Sequence, residues 1–371
     1  MANASIVIPQ PRPAHISLAR AWQWFLRRIL LGFSLGILSL LLITAVFAPW
    51  IAPFDGKGIG AKLDEKNTPP FWMDTIIVQK TVVEGFPEEQ ETKISLSRAR
   101  NLAVADRILD SSGQPLTREQ VEAGLEIQQV IRPAGTTKYL LGTDQLGRDL
   151  LSRIIWGARI SLVVAGVTLL VGGVVGTGLG LISGYYGGWV DEIIMRLVDI
   201  ALALPIVLVA LVMVVTLGTL EIPFLPQKEV HLIASVLSLF IWVRFARQVR
   251  GEVLHLKKLD YIDLARVAGC STRRILITHL LPGVLNTVIV ISTLQVSTVI
   301  LLESTLSFLG AGVPPPTPAW GSMVSEGRDI LKDSWWVSTM PGIALLFTVM
   351  AFNLLGDWIR DALDPRLRQQ E

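Results

Sequence analysis

The sequence predicts an all-α, polytopic membrane protein with six transmembrane helices and a charged, soluble insert between the first and the second. Three observations predict it. Of 371 residues, 51% are hydrophobic and 17% charged, against roughly 25% charged in an ordinary soluble domain. The charges are also concentrated: 29 of the 64 Lys, Arg, Asp and Glu side chains fall between Pro53 and Arg159. Outside that segment, five stretches with at most one charge are long enough for a hydrocarbon core that needs about 20 helical residues. They are Ile29–Ile51, Ile160–Val190, Leu197–Leu220, Gly283–Leu302 and Ser334–Gly356. A sixth, Val230–Val243, is uncharged for 14 residues, so its helix must take in Arg244 snorkelling at one end.

The first stretch follows Arg12, Arg20, Arg27 and Arg28 with no acid before it, as the basic start of a signal peptide would. Its 23 apolar residues exceed the 7 to 15 or so expected of a cleaved segment. It therefore reads as an uncleaved helix ended by Pro49 and Pro53. Six spans put both termini on one side. Short loops on that side carry 16 Lys and Arg against three on the other, so both termini are expected to be cytoplasmic. The expected organisation is a cytoplasmic segment 1–28, a first helix 29–52, an extracytoplasmic insert 53–158, a five-helix core 159–357 and a cytoplasmic tail 358–371.

The insert mixes 14 basic and 15 acidic residues with a β-prone run, Thr75–Val83, and turn signals at Gly85, Gly113 and Pro115, which predicts a small folded subdomain. At its end, Leu146, Leu150, Leu151, Ile154, Ile155 and Ala158 share one helical face opposite Asp149, Ser152 and Arg153. That pattern predicts a helix on the outer membrane interface, with an ordinary helix packed on the subdomain as the alternative.

Composition excludes several functions. One cysteine, Cys270, forbids an intrachain disulfide, and His15, His231, His255 and His279 have no metal-ligand spacing. A net charge of +2 predicts no nucleic-acid partner. Gly32-Phe-Ser-Leu-Gly36 matches a nucleophile pattern but sits in a charge-free span rather than at a strand-to-helix turn. No phosphate-binding loop occurs, so no ATP or other cofactor is expected on this chain. Gly172, Gly176, Gly180, Gly184 and Gly188 recur every four residues and predict a ridge along which another helix can pack closely. Asp199 is expected to pair locally with Arg196, three residues before it.

Arg250–Pro282, between the fourth and fifth spans, is too polar for lipid and too patterned for a linker. Ile262, Ala265 and Gly269 fall at i, i+3 and i+7 on a short helix that Gly269 can end in the left-handed conformation. Ser271 can cap a second helix, and Pro282 marks the turn into the next span. A helix pair joined at a glycine reads as a docking projection that transmits force from a soluble partner.

Here the residues resemble a family. Asp263-Leu-Ala265-Arg-Val-Ala-Gly269, followed after nine residues by His279-Leu-Leu281-Pro282, is similar to the coupling motif of ABC importer permeases. Asp263 stands for the family's Glu, Leu264 for its first Ala and His279 for its Ile. Leu141–Asp149 with Ser152-Arg153 and Gly157–Ser161, then Glu303–Gly310, Pro315–Gly321, and Asn353–Asp357 with Arg360–Pro365, resemble signatures of the dipeptide/oligopeptide/nickel type. Together they cover residues 139 to 368 in order, while Asp55–Lys138 is longer than that family leads one to expect.

The resemblance implies the six-helix fold of a type I ABC importer permease. It implies one half of a heterodimer with a second homologous permease, two cytoplasmic ATPase subunits that bind ATP and Mg, and an extracytoplasmic substrate-binding protein, with no catalysis on this chain. Asp263, Ala265, Arg266, Gly269, Ser271, Leu281 and Pro282 would form the ATPase-coupling set. Glu303, Gly310, Pro315, Pro316 and Trp320 would form an outer gate or docking rim, although Glu303 reads equally well as a boundary charge. Prolines at 314, 315, 316 and 318 stiffen that connection. Dipeptides, oligopeptides, glutathione, opines and nickel complexes all fit as cargo. The competing class is a stand-alone secondary carrier or channel, which would call for midplane ionisable groups or internal repeats. The sequence displays neither.

Overall fold

The computed structural model describes residues 18–56, 65–73, 76–79, 92–95, 129–132, 135–218 and 229–363. The turn signals at Gly85, Gly113 and Pro115, and the basic residues Arg12, Arg366 and Arg368, lie outside these residues. Five continuous helices are long and apolar enough to cross a membrane. They lie in α1 (Leu18–Ile51), α2 (Leu150–Tyr186), α5 (Glu229–Leu256), α7 (Thr272–Phe308) and α9 (Trp336–Leu363). The candidate for a sixth crossing is a bent pair, α3 (Gly188–Ala203) and α4 (Ile206–Gly218), which passes the same test only when its two helices are taken together. Two shorter helices are α6 (Asp260–Val267) and α8 (Trp320–Arg328).

The broken pair corrects the expected straight span Leu197–Leu220, because α3 and α4 meet at 91°. Pro205 is the cause. It offers no N–H and its ring opposes the preceding helical turn, and Leu204 before it is extended, with φ −80° and ψ 138°. Thirteen residues of α4 cover only about 20 Å, short of a hydrocarbon core of about 30 Å. The charged start of α3 is held at the bundle's end, where Arg250 of α5 donates to Asp191 at 2.5 and 2.6 Å. Contrary to the expectation from sequence, Asp199 does not pair with Arg196. It accepts from Arg247 of α5, and Arg196 instead bonds Glu192 at 3.1 Å.

The insert contributes three short antiparallel strands in the order β2-β1-β3: β1 (Ile76–Gln79), β2 (Thr92–Ser95) and β3 (Gln129–Arg132). β1 falls inside the β-prone run. The two ends of the insert are pinned together on the bundle: Thr143 N–H donates to the Thr68 carbonyl at 2.8 Å, and Phe54 N–H to Ser152 Oγ at 2.9 Å.

The expected interfacial helix is a second correction. Leu150–Ala158 is the first part of the continuous 37-residue α2, and its polar side is buried in the protein. Asp149 caps it by accepting from Ser152 N–H at 2.7 Å. The boundary between insert and core therefore falls at 149/150 rather than at 158.

Four apolar clusters organise the described bundle, the smallest joining α3 to α5 through Val198, Val243 and Ala246. One joins α2, α4, α5 and α7 around Val164, Leu237, Phe245 and Ile300. A second joins α1, α2, α8 and α9 around Leu41, Leu150, Trp320 and Trp336. The third, at the end opposite the insert, seats α6 through Ile262 and Ala265 on Val249, Val253 and Val284.

The glycine ridge explains the tight contact of α2 with α5. A Cβ built on Gly176 would lie 2.3 Å from the Trp242 carbonyl oxygen, one on Gly180 2.7 Å from that of Ala246, and one on Gly184 2.7 Å from Val253 Cβ. Gly172 is looser, at 3.2 Å from Ile241. The rising numbers on both helices show that they run parallel. Gly188 does not belong to the ridge. The helix ends at Gly187, with φ +66° and ψ −158°, and Gly188 opens α3 with free space around it.

Candidate functional site

Away from the insert, α5 leads through Lys257–Leu259 into α6, the projecting helix. Ile262 and Ala265 are buried beneath it, while Tyr261, Leu264 and Val267 are 42, 67 and 87% exposed. An amphipathic helix of eight residues thus covers one apolar face and leaves a second open. Asp263 and Arg266 are exposed and bond each other at 3.0 Å, and Arg266 also lies over the Tyr185 ring.

The helix ends in a Schellman motif. Cys270 N–H donates to the Ala265 carbonyl and Gly269 N–H to that of Arg266, both at 3.0 Å. Gly269 is left-handed, with φ +76°, and a Cβ there would meet nothing within 4 Å. Ser271 accepts from Arg274 N–H at 3.4 Å as the next N-cap.

Beyond this cap the chain departs from the expected helix pair. Instead of a second separate helix and a turn at Pro282, α7 is continuous from Thr272 through a π-helical segment, Ile275–Leu280. The wider turn, in which Leu281 N–H donates to the Leu276 carbonyl, lets Pro282 follow without breaking the helix. Leu281 is half-buried and Pro282 exposed. The hairpin is therefore continuous with a membrane-crossing helix.

At the insert end, α7 closes with the same motif: Gly310, φ +85°, donates to the Ser307 carbonyl and Ala311 to that of Leu306. Pro315 and Pro316 are exposed on the connection to α8. Glu303 and Trp320 are not. Glu303 is fully buried, accepting from Ser307 at 2.8 Å and from Ser161 of α2 at 3.2 Å, so it is no boundary charge. Trp320 is 2% exposed, lies against Gly157 and donates to the Ile154 carbonyl at 2.9 Å. Both join α7 and α8 to α2 and cannot present a docking surface.

Sequence reasoning missed a buried ionic cluster beside them. Arg153, 1% exposed, donates to Asp144 at 2.5 Å and to Glu326 of α8 at 2.6 and 3.1 Å, while Arg148 reaches Asp144 at 2.6 Å and Glu326 at 2.8 Å. Two cations face two acids, so the cluster is neutral and clamps the insert-side start of α2 onto α8. Asp144, Arg148 and Arg153 lie within ten residues of one another, but no local pattern points to Glu326. Burial raises the Asp149 carboxyl above its ordinary value, against the hydrogen bonds from Ser152 that favour its ionised form.

Among the described residues no group of three or more His, Cys, Asp or Glu side chains is placed to hold a metal.

The family profile of binding-protein-dependent transport system inner membrane components matches residues 176–369, more than half of the chain. That of the N-terminal TM domain of oligopeptide transport permease C matches residues 17–70. The chain is 34% identical to the di/tripeptide transport system permease protein DppC of Pseudomonas aeruginosa over 99% of its own length and 96% of the relative's. That match spans the long insert, which therefore has a counterpart in a relative. It is 43% identical to the dipeptide transport system permease protein DppC of Haemophilus influenzae over 68% of its length and 82% of the relative's. To the glutathione transport system permease protein GsiD of Pectobacterium atrosepticum the figures are 42%, 63% and 74%. With the profile covering the broken span, the projecting hairpin and the last crossing, the chain belongs to the binding-protein-dependent transport system inner membrane components, as a multi-pass permease subunit of a type I ABC importer.

Proposed function

We propose that this chain is one permease half of an ATP-driven importer of short peptides or glutathione. It pairs with a second, homologous permease, couples to two ATPase subunits through the α6 hairpin, and receives its cargo from a binding protein docked at the insert end. Both termini and the hairpin are cytoplasmic in this reading, and the sheet-bearing insert is outside, in line with the Lys and Arg asymmetry. ATP and Mg belong to the ATPases, and this chain carries no catalytic group or cofactor. The peptide cargo rests on the names of the relatives. Relatives named as permease proteins of transport systems give no support to a carrier working alone.

The observation that carries the proposal is the open apolar face of α6. Tyr261, Leu264 and Val267 project from the bundle on a helix whose other face is anchored, and the rigid Gly269 turn passes its displacement into α7. An exposed apolar patch of this kind marks a protein contact. Asp263, Arg266, Ser271, Leu281 and Pro282 shape the hairpin around it. Gly310, Pro315 and Pro316 form the rim at the other end, where the binding protein docks.

Gly269→Arg tests the coupling. The left-handed backbone costs a residue with Cβ about 1 to 2 kcal/mol, but the site is open within this chain, so the bundle still assembles. The expected result is normal membrane insertion, loss of ATPase co-purification and loss of substrate-stimulated ATP hydrolysis in proteoliposomes. Wild-type values for both would show that the hairpin is not the coupling element.

A further inference from the structure

Where α1, α2 and α9 converge, the bundle leaves a cavity of about 430 Å³. Its floor, which includes Leu41, Ile155 and Thr348, is buried in the protein. Phe33, Leu40 and Phe347 on its rim are 41 to 62% exposed. The cavity therefore opens on the outer face of membrane-crossing helices, where the surrounding medium is lipid.

Water does not suit this space. An ordered water needs about two to four polar partners, and the lining has three polar side chains, Thr44, Trp320 and Thr348, with no charge. Thr44 Oγ1 donates to the Leu41 carbonyl of its own helix at 2.9 Å, and Trp320 Nε1 to the Ile154 carbonyl at 2.9 Å. An apolar cavity of about 150 Å³ stays dry and takes up benzene, and this one is far larger. Left empty, its walls would lack contacts across the gap.

The dimensions narrow the occupant further. Along α1 the lining runs from Phe33 to Thr44, about 16 Å of helix. That matches the roughly 15 Å which the chains of one leaflet contribute to a core of about 30 Å. A helix about 10 Å across laid along the same length would take about 1,300 Å³, about three times the space available. A slender apolar chain fits where neither water nor a helix does.

We infer that the groove between α1, α2 and α9 binds one acyl chain of a membrane phospholipid, which completes the packing of α1 on the rest of the bundle. The site lies within this chain and is independent of the cargo.

The test uses the whole transport complex, reconstituted in vesicles of phosphatidylethanolamine and phosphatidylglycerol that contain a phosphatidylcholine with a diazirine on one acyl chain. After illumination, label is expected on Leu41, Ile155 and Thr348, although all three are buried in the bundle. Ala344→Phe and Thr44→Phe fill the cavity from different helices, and each should abolish that label. Leu42→Phe, at an exposed α1 position outside the lining, should leave it at the wild-type level. A wild-type floor without label, while other crossings of the complex are labelled, would overturn the inference. Label that survives both filling variants would do the same. A cross-link to another subunit from benzoylphenylalanine placed at position 44 would overturn it in favour of a partner's side chains. If a filling variant fails to assemble, the wild-type map alone decides.

Discussion

Gly176→Ala, set against Gly178→Ala, separates backbone packing from helix propensity on a single helix. Both positions lie in the middle of α2, and both substitutions gain about 1 kcal/mol of intrinsic helix propensity. Their surroundings are opposite. A Cβ at Gly176 would stand 2.3 Å from the Trp242 carbonyl oxygen and 2.6 Å from Phe245 Cβ, whereas one at Gly178 meets nothing within 4 Å. Ordinary contact begins near 3.4 Å, so α5 must retreat by about 1 Å at Gly176. A gap of that size forfeits a quarter to a half of the contact energy of the atoms it separates, and overpacking of this kind costs about 1 to 3 kcal/mol. Association of membrane helices depends on such contacts, because lipid offers no hydrophobic gain. Gly176→Ala should therefore be less stable than Gly178→Ala by about 1 to 3 kcal/mol, read as thermal unfolding of the purified complex in detergent. Equal stability within about 0.5 kcal/mol would refute the reasoning and reduce the glycine ridge to composition.

The insert-side cluster and the α2 cap yield further outcomes. Arg153→Met leaves Asp144 and Glu326 sharing Arg148 and should destabilise the complex by about 3 to 5 kcal/mol. Arg153→Lys, which keeps the charge but loses the fork, should fall between, and a Met variant within about 1 kcal/mol of wild type would contradict a stabilising clamp. Asp149→Asn keeps the α2 cap and removes a buried charge, so its stability at neutral pH should equal or exceed wild type, whereas Asp149→Ala should lose about 1 kcal/mol. The sign comes from burial: a carboxyl raised above its unfolded value of 3.8 binds its proton more tightly when folded. Its contribution is full below pH 3.8 and is lost as the pH rises through the folded value, so denaturation midpoints of wild type and Asp149→Asn should diverge over that interval. Parallel pH profiles would show that Asp149 is not titrating there.

Much of this protein was legible in one dimension because a bilayer forces it to be. With no water to bond backbone groups, each crossing must be a helix of about 20 apolar residues, so hydropathy alone placed four continuous spans, marked Val230–Val243 as the start of a fifth, and found the apolar stretch Leu197–Leu220 without its break. Local backbone chemistry was legible for the same reason of short range: Gly269 takes the left-handed turn, Ser271 caps, and β1 lies in the β-prone run. Tertiary structure decided what depends on partners distant in sequence. Pro205 was visible, but that it turns the third crossing through 91° depends on where α5 holds Asp191 and Asp199. The amphipathic face of Leu146–Ala158 suits a membrane surface and a protein interior equally, and Glu326, 173 residues from Arg153, chose the interior. Gly188 kept the four-residue period while Gly187 ended the helix before it. Glu303 and Trp320 carry polar atoms that look exposed in a sequence. Only packing supplied the hydroxyls of Ser161 and Ser307 and the Ile154 carbonyl that bury them, because a polar group's exposure is set by whether a partner reaches it rather than by its own chemistry.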